Sequence, residues 1–254
     1  MGTQGIKVVG GGAGISPYIA KYFGAQTIRL PEEIGAIGES DHVIICARQP
    51  WGNYSSKAFE QAIYTNCRLI SDVCSRNPRK IIFFSSVDVY SCRGDVRQLS
   101  AIDGLHIGFK KFGEQLLRDG DLIIRPGLMV NDLDFKRDRT TLGRVIRSGG
   151  KRVKVGLSGE SCFFVVCYSY VLNFLNHIIE NDLKGIVDVV SPDELSLAAI
   201  VERYDLGSIE FGCYTYRSLV TDEVKSWEFG SEFAVESIAV TDILWRKACG
   251  GFSE

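Results

Sequence analysis

Proline is scarce, at 6 of 254 residues, while glycine reaches 27. So many glycines with so few prolines imply tight turns and exclude a low-complexity linker. An excess of either charge is also missing. Lys plus Arg number 29 and Asp plus Glu 31, a formal net charge of -2, which excludes the basic footprint of a general nucleic-acid binder. No stretch reaches the roughly 18 apolar residues of a membrane span. The leading MGTQGIKVVGGG has no long apolar run before a cleavage site, so neither a signal peptide nor a membrane partner is expected. The 8 cysteines are scattered, with only Cys67/Cys74 and Cys162/Cys167 as near neighbours and no histidine spaced for a zinc module. Structural thiols in a reducing, cytoplasmic compartment are expected, and no metal. There is no internal repeat.

What remains is an ordinary globular composition, 45% hydrophobic and 24% charged, in a chain long enough for one large domain or a domain with a small appendage. Ile6 to Val9 read as a first strand, running into Gly10-Gly11-Gly12-Ala13-Gly14 and a helix that starts near Ser16-Pro17 and ends at Phe23. Thr27 to Leu30 and Val43 to Ala47 read as strands, 57–74 as a helix, and Lys80 to Ser86 as a buried strand ending in hydroxyls. Phe109 to Arg118 read as a helix and Asp121 to Arg125 as a strand stopped by Pro126-Gly127. Apolar runs without alternation suit parallel strands covered on both faces, and the alternation of strand and helix implies a doubly wound α/β sheet that binds ligands at the carboxyl ends of its strands.

After Gly127 the pattern loosens. The charged segment 131–162 reads either as a solvated surface with one helix, Leu142 to Arg147, or as a lid or anionic-substrate site. An apolar run from Phe163 leads into a helix through Glu180, Ser196 is placed to N-cap a helix at 197–201, and Ile238 to Lys247 read as a final helix. Two segments, 211–216 and 227–233, are rich in aromatic residues.

Gly11-Gly12-Ala13-Gly14 lies between a strand and a helix, where glycine permits a tight turn and close approach of a pyrophosphate to the helix N-terminus. Pro17 stands where the dinucleotide fingerprint has a small residue, so a dinucleotide, another phosphate ligand and a structural turn all stay open. No Gly-Lys-Ser/Thr ending is present, which excludes a nucleoside-triphosphate loop. No carboxylate ends the second strand. Arg29 is there instead, which favours a 2′-phosphate and hence NADPH. Ser86 ends the hydroxyl strand, and His106 and Lys110 are spaced i, i+4, sharing a face if the helix already runs at His106.

In order, VVGGGAG, DHVIICA, Asn66, FFSSVDVYS, HIGFKKFGE, LIIRPG and VVSPDELSLAAIVE resemble the NAD(P)-dependent epimerase/dehydratase branch of the short-chain dehydrogenase/reductase superfamily, over roughly residues 6–205. The resemblance implies a Rossmann-like, doubly wound, mostly parallel sheet with helices on both faces and a small C-terminal substrate lobe. Residues 1–130 would be the dinucleotide-binding core and 131–254 a reduced substrate-binding lobe with returning sheet and helix elements. NADP or NAD would sit on Gly11, Ala13, Gly14, Ile15, Arg29, Ala47 and Lys110. Ser86 would polarise the reacting oxygen, Lys110 would bind the ribose, and His106 or Tyr90 would transfer the proton. Glu114 matches a common acidic residue of the same helix.

The chain departs from the family in four places. His106 stands at the position of the acid/base tyrosine, and a close Lys110 cation disfavours its charged form. Pro17 interrupts the glycine loop. Val87 replaces one carboxylate of a dehydratase pair that Asp88 would complete, which disfavours elimination of water. The C-terminal lobe is short. The expected function is an NAD(P)-dependent oxidoreductase or epimerase of a nucleotide-linked keto or hydroxy sugar, foremost an NADPH-dependent keto-sugar reductase. The alternative is a catalytically impaired NAD(P)-binding sensor or interaction protein. A homodimer through helices on one sheet face is implied by the resemblance, and no nucleic-acid partner is expected.

Overall fold

The structure, a computed structural model, describes residues 5–10, 14–47, 60, 61, 63–93, 101–207, 209–217 and 236–249; for 91–93 and 101–106 it describes the backbone. In chain order the elements begin with β1 (Ile6–Val9), α1 (Ser16–Phe23), β2 (Gln26–Ile28), β3 (His42–Ile45), α2 (Leu69–Ser75), β4 (Lys80–Phe84), α3 (Ala101–Gln115) and β5 (Leu122–Pro126). They continue with β6 (Leu128–Val130), α4 (Thr141–Arg147), β7 (Val153–Leu157), β8 (Cys162–Phe163), β9 (Val165–Cys167) and α5 (Tyr168–Glu180). The last are β10 (Gly185–Val189), β11 (Leu195–Ser196), α6 (Leu197–Arg203), β12 (Ile209–Tyr214) and α7 (Ser237–Ala248). The chain divides into two compact units, residues 1–125 with 176–187, and residues 126–175 with 188–254.

The main sheet has six strands in the order β10-β5-β4-β3-β1-β2. β1 pairs in parallel with β2 and β3, β3 with β4, and β4 with β5. Side chains alternate across a strand, so Val9, Val43, Ile45, Ile81 and Phe83 share one face, where they pack with Leu69, Ile70 and Val73 of α2. Val8, Ile44 and Ile82 point to the other face and are 0% exposed. Both faces are covered, which is why Val43–Ile45 and Ile81–Phe84 read as unbroken apolar runs. This is the expected Rossmann-like sheet with helices on both faces and additional C-terminal elements. From β2 the chain crosses back past β1 to β3, so the order reverses between β1 and β3, and ligands of such sheets bind at that point. The β2–β3 link, 29–41, holds only a 3₁₀ turn, Ile34–Ala36, and is too short for a further strand and crossover helix.

Two helix ends follow from local chemistry. Pro17 occupies the first turn of α1, and Gly24 closes it in the left-handed region at φ 59°. One boundary difference is α3, which starts at Ala101 rather than near Phe109. Gly104 and Gly108 weaken the helical signal there, and the fold overrides it. A Cβ at Gly113 would lie 2.6 Å from Ile70 Cδ1 and 3.0 Å from Phe83 Cζ, so the helix rests directly on α2 and β4. Asn66 lies in a π turn, Tyr64–Arg68, that leads into α2, and is 7% exposed.

In the second unit β6 pairs with β9 and β7 with β12 in parallel, and β8 with β11 antiparallel. Its core gathers Val130, Leu142, Ile146, Val165, Leu197 and Leu244 among others. Thr140 caps α4 by accepting from the Gly143 N–H at 3.0 Å, and Ser196 caps α6, as expected, by accepting from Ala199 N–H at 3.1 Å. The basic side chains of Lys136, Arg137, Lys151 and Arg152 are exposed. Arg137 pairs with Asp134 at 3.2 Å and Arg152 with Glu210 at 3.4 Å, contacts typical of a solvated face. The aromatic segment 211–216 is largely strand β12, and 227–233 lies outside the described residues. No helix among the described residues is long and apolar enough to cross a membrane.

Candidate cofactor and catalytic site

Parallel strands end on the same edge of a sheet, so Gly10 after β1, Cys46 and Ala47 after β3, and Ser85 and Ser86 after β4 come together at the carboxyl edge. The gap between β1 and β3 is narrow. A Cβ on Gly10 would meet Ser16 Oγ at 3.0 Å and Cys46 Sγ at 3.3 Å, so glycine there lets the start of α1 close on both strands. Gly14 adopts φ +71°, a conformation that favours glycine. Ile15 is the N-cap of α1 and offers it no side-chain acceptor. Burial pushes the Cys46 thiol up to about 12, so it stays protonated and forms a neutral wall of the crevice. Ala47 is buried beside it. Arg29 lies one residue past β2 and is exposed, and its backbone N–H donates to Glu33 Oε2 at 2.7 Å. Gly11 and Ala13 lie outside the described residues.

At the end of β4 the two serines differ. Ser85 remains in the ladder, its N–H donating to the Ile124 carbonyl at 2.7 Å, and its buried hydroxyl has no hydrogen-bond partner. Ser86 Oγ donates to Asp88 Oδ2 at 2.9 Å and accepts from Asp88 N–H at 3.2 Å, opening the 3₁₀ turn Val87–Arg93. Lys110 reaches the same strand end from α3. It is 6% exposed, its Nζ donates to the Phe84 carbonyl at 2.8 Å, and it stands 5.0 Å from the Phe83 ring centroid. The helix runs through His106, so the i, i+4 condition for a shared face with Lys110 is met; the His106 side chain lies outside the described residues.

Tyr90 belongs to a network that sequence reading missed. Arg125 donates to both carboxylate oxygens of Glu114, at 2.9 and 2.6 Å, and to the Tyr90 hydroxyl at 2.5 Å. Its guanidinium also stacks 4.8 Å from the Tyr90 ring centroid. Burial pulls the Arg125 pKa down, but the Glu114 hydrogen bonds and charge, with Tyr90, outweigh it and raise it, so the cation is secure. The available signal was an arginine inside the apolar strand LIIRPG, where a buried cation needs an anionic partner. Glu114 is four residues past Lys110 and Tyr90 four past Ser86, so this network ties the lysine helix to the serine strand end.

The residues present fit a dinucleotide. Glycine stands at the strand-order reversal, where a Cβ at Gly10 would press on Ser16 and Cys46 and hold the start of α1 off the strands, and a buried ammonium stands at the adjoining strand end. Neither a protein-family model nor a curated protein matches the sequence. Solved structures do match. A mutant UDP-glucuronic acid 4-epimerase from Bacillus cereus, in complex with a fluorinated UDP-sugar and NAD, aligns with TM-score 0.69 and 13% identity over 96% of this chain and 98% of that one. A dTDP-4-dehydrorhamnose reductase from Yersinia enterocolitica aligns with TM-score 0.63 and 15% identity over 83% and 84%. RMD from Pseudomonas aeruginosa, complexed with NADPH, aligns with TM-score 0.54 and 14% identity over 81% and 84%. At these identities the likeness is one of fold, a fold that holds NAD in the first of these structures and NADPH in the last.

Proposed function

We propose that the chain is a cytoplasmic NAD(P)-dependent oxidoreductase or epimerase of nucleotide-linked sugars, belonging to the epimerase/dehydratase family and working as an NADPH-dependent keto-sugar reductase. The observation that carries this reading is the meeting of Gly10 at the tight β1–α1 turn, the Ser85-Ser86 strand end and the buried Lys110 ammonium at one edge of one parallel sheet. Gly11, Ala13, Gly14 and Ile15 hold the pyrophosphate at the start of α1, and Ala47 lines the crevice. Exposed Arg29 takes a 2′-phosphate. Residues 1–130 serve the cofactor and 131–254 the sugar nucleotide, and the resemblance extends the reading to a homodimer.

A nicotinamide held there would supply hydride chemistry for a sugar carbonyl. The chain's own groups then manage one proton and one oxygen. Ser86, fixed by the Asp88 N–H, turns its hydroxyl hydrogen from Asp88 Oδ2 to the carbonyl oxygen and polarises it. Lys110 holds the ribose hydroxyls. His106, one turn before Lys110, gives the proton that completes the alcohol. Tyr90, whose hydroxyl accepts from Arg125, fixes the turn that carries Ser86. Reduction needs a single hydride and a single proton, so it tolerates Val87 in place of a dehydratase carboxylate.

A second reading has a specific basis. Histidine replaces the family tyrosine, and the Ser86 proton is already shared with Asp88, which suits a cofactor-binding protein without turnover. Nicotinamide absorbance with NADPH and a panel of 4-keto sugar nucleotides separates the two. The reductase is expected to oxidise NADPH with at least one sugar, and His106→Ala to lower kcat by about 10²- to 10⁴-fold, the contribution of a positioned acid. Tight cofactor binding with no turnover, in the parent and in His106→Tyr alike, would establish the sensor.

A further inference from the structure

We infer that Ser85, rather than serving only as packing beneath Ser86, is a binding residue whose hydroxyl joins Lys110 in holding a vicinal diol. Resting on the proposed cofactor reading, that diol is the ribose next to the nicotinamide. The Ser85 hydroxyl is buried, with the residue 6% exposed, and lacks a hydrogen-bond partner. Among described side chains only the Tyr64 hydroxyl shares that state. A buried hydroxyl left unpaired gives up its hydration for nothing, and native folds keep such a group where a ligand or water repays it.

Its surroundings identify the ligand. Ser85 N–H still bonds Ile124 O, so the extended alternation of β4 carries on and turns the Ser85 side chain toward the face of Phe83. Lys110 occupies that face, its ammonium 5.0 Å from the Phe83 ring centroid and 2.8 Å from the carbonyl oxygen of Phe84, the residue joined directly to Ser85. An ammonium can only donate, whereas a hydroxyl both donates and accepts. Set at the same strand end, the two groups suit two neighbouring alcohols, one oxygen accepting from the cation and the other exchanging a hydrogen bond with the serine. Ser86 is a poorer candidate for this duty, because Asp88 takes both its donor and one of its acceptor positions.

Ser85→Ala separates this assignment from a packing role by two readouts that do not involve turnover. Without cofactor the variant is expected to melt at or above the parent temperature, since it removes an unpaired buried hydroxyl. In titrations with NADPH and NADH it is expected to bind roughly 2- to 12-fold more weakly, the loss of one neutral hydrogen bond, and to show a smaller cofactor-induced rise in melting temperature. Unchanged affinity overturns the assignment, and so does a variant that melts several degrees lower without cofactor, because the hydroxyl would then serve the fold. Failure of the parent to bind any nicotinamide cofactor is a separate result. It removes the proposed function, and the ribose role of Ser85 with it.

Discussion

Arg125→Ala should cost the protein about 3–5 kcal/mol of stability, the usual penalty for stranding one member of a buried ion pair. The Arg125 and Glu114 side chains are only 12% and 9% exposed and meet at 2.6 Å, so truncation leaves a carboxylate with neither water nor a cation. The Tyr90 hydroxyl loses its donor in the same step. Arg125→Lys should recover little, because a single ammonium cannot reproduce the two-pronged contact with Glu114 and the third bond to Tyr90. Replacing Arg125 and Glu114 together by leucine removes both charges and should restore much of the stability. Urea unfolding of the four proteins tests this. An alanine variant within about 1 kcal/mol of the parent, the value of an exposed pair, would contradict the buried brace.

The second large effect concerns Lys110. Lys110→Met keeps the length of the side chain and removes the charge. Nicotinamide-cofactor affinity should fall by about 10- to 150-fold, corresponding to one hydrogen bond from a charged donor, and sugar reduction should vanish with it. The Phe84 carbonyl also loses its donor, so some stability should be lost. Comparing unfolding with cofactor titration distinguishes the two. Binding unchanged in a folded Lys110→Met protein would show that the ammonium serves only the strand end.

The parts of the fold legible in the sequence are those that depend on local chemistry. The apolar stretches of β3 and β4, Val43–Ile45 and Ile81–Phe84, are unbroken because both faces are buried, and Ser196 announces its helix by offering a cap. The start of α3 was not legible, since Gly104 and Gly108 weaken a helix that tertiary contact sustains. The family resemblance implied that Ser86 and Lys110 act at one site, while spacing alone put His106 and Lys110 on one face only if the helix already ran at His106. Which serine has an unpaired hydroxyl was beyond both, because that depends on a turn folding Asp88 back onto Ser86. The partner of Arg125 was hidden for a related reason. Glu114 is 11 positions away in sequence and on another element, and only packing of the helix against the strand brings the two within reach.

The most direct test of the central claim is titration of the parent protein with NADPH and NADH, oxidised and reduced, by calorimetry or nicotinamide fluorescence. Saturable one-site binding is expected, tighter for NADPH than for NADH because exposed Arg29 stands past the end of β2. No binding of any of the four forms would contradict the cofactor site, and with it the reductase assignment and the ribose role of Lys110.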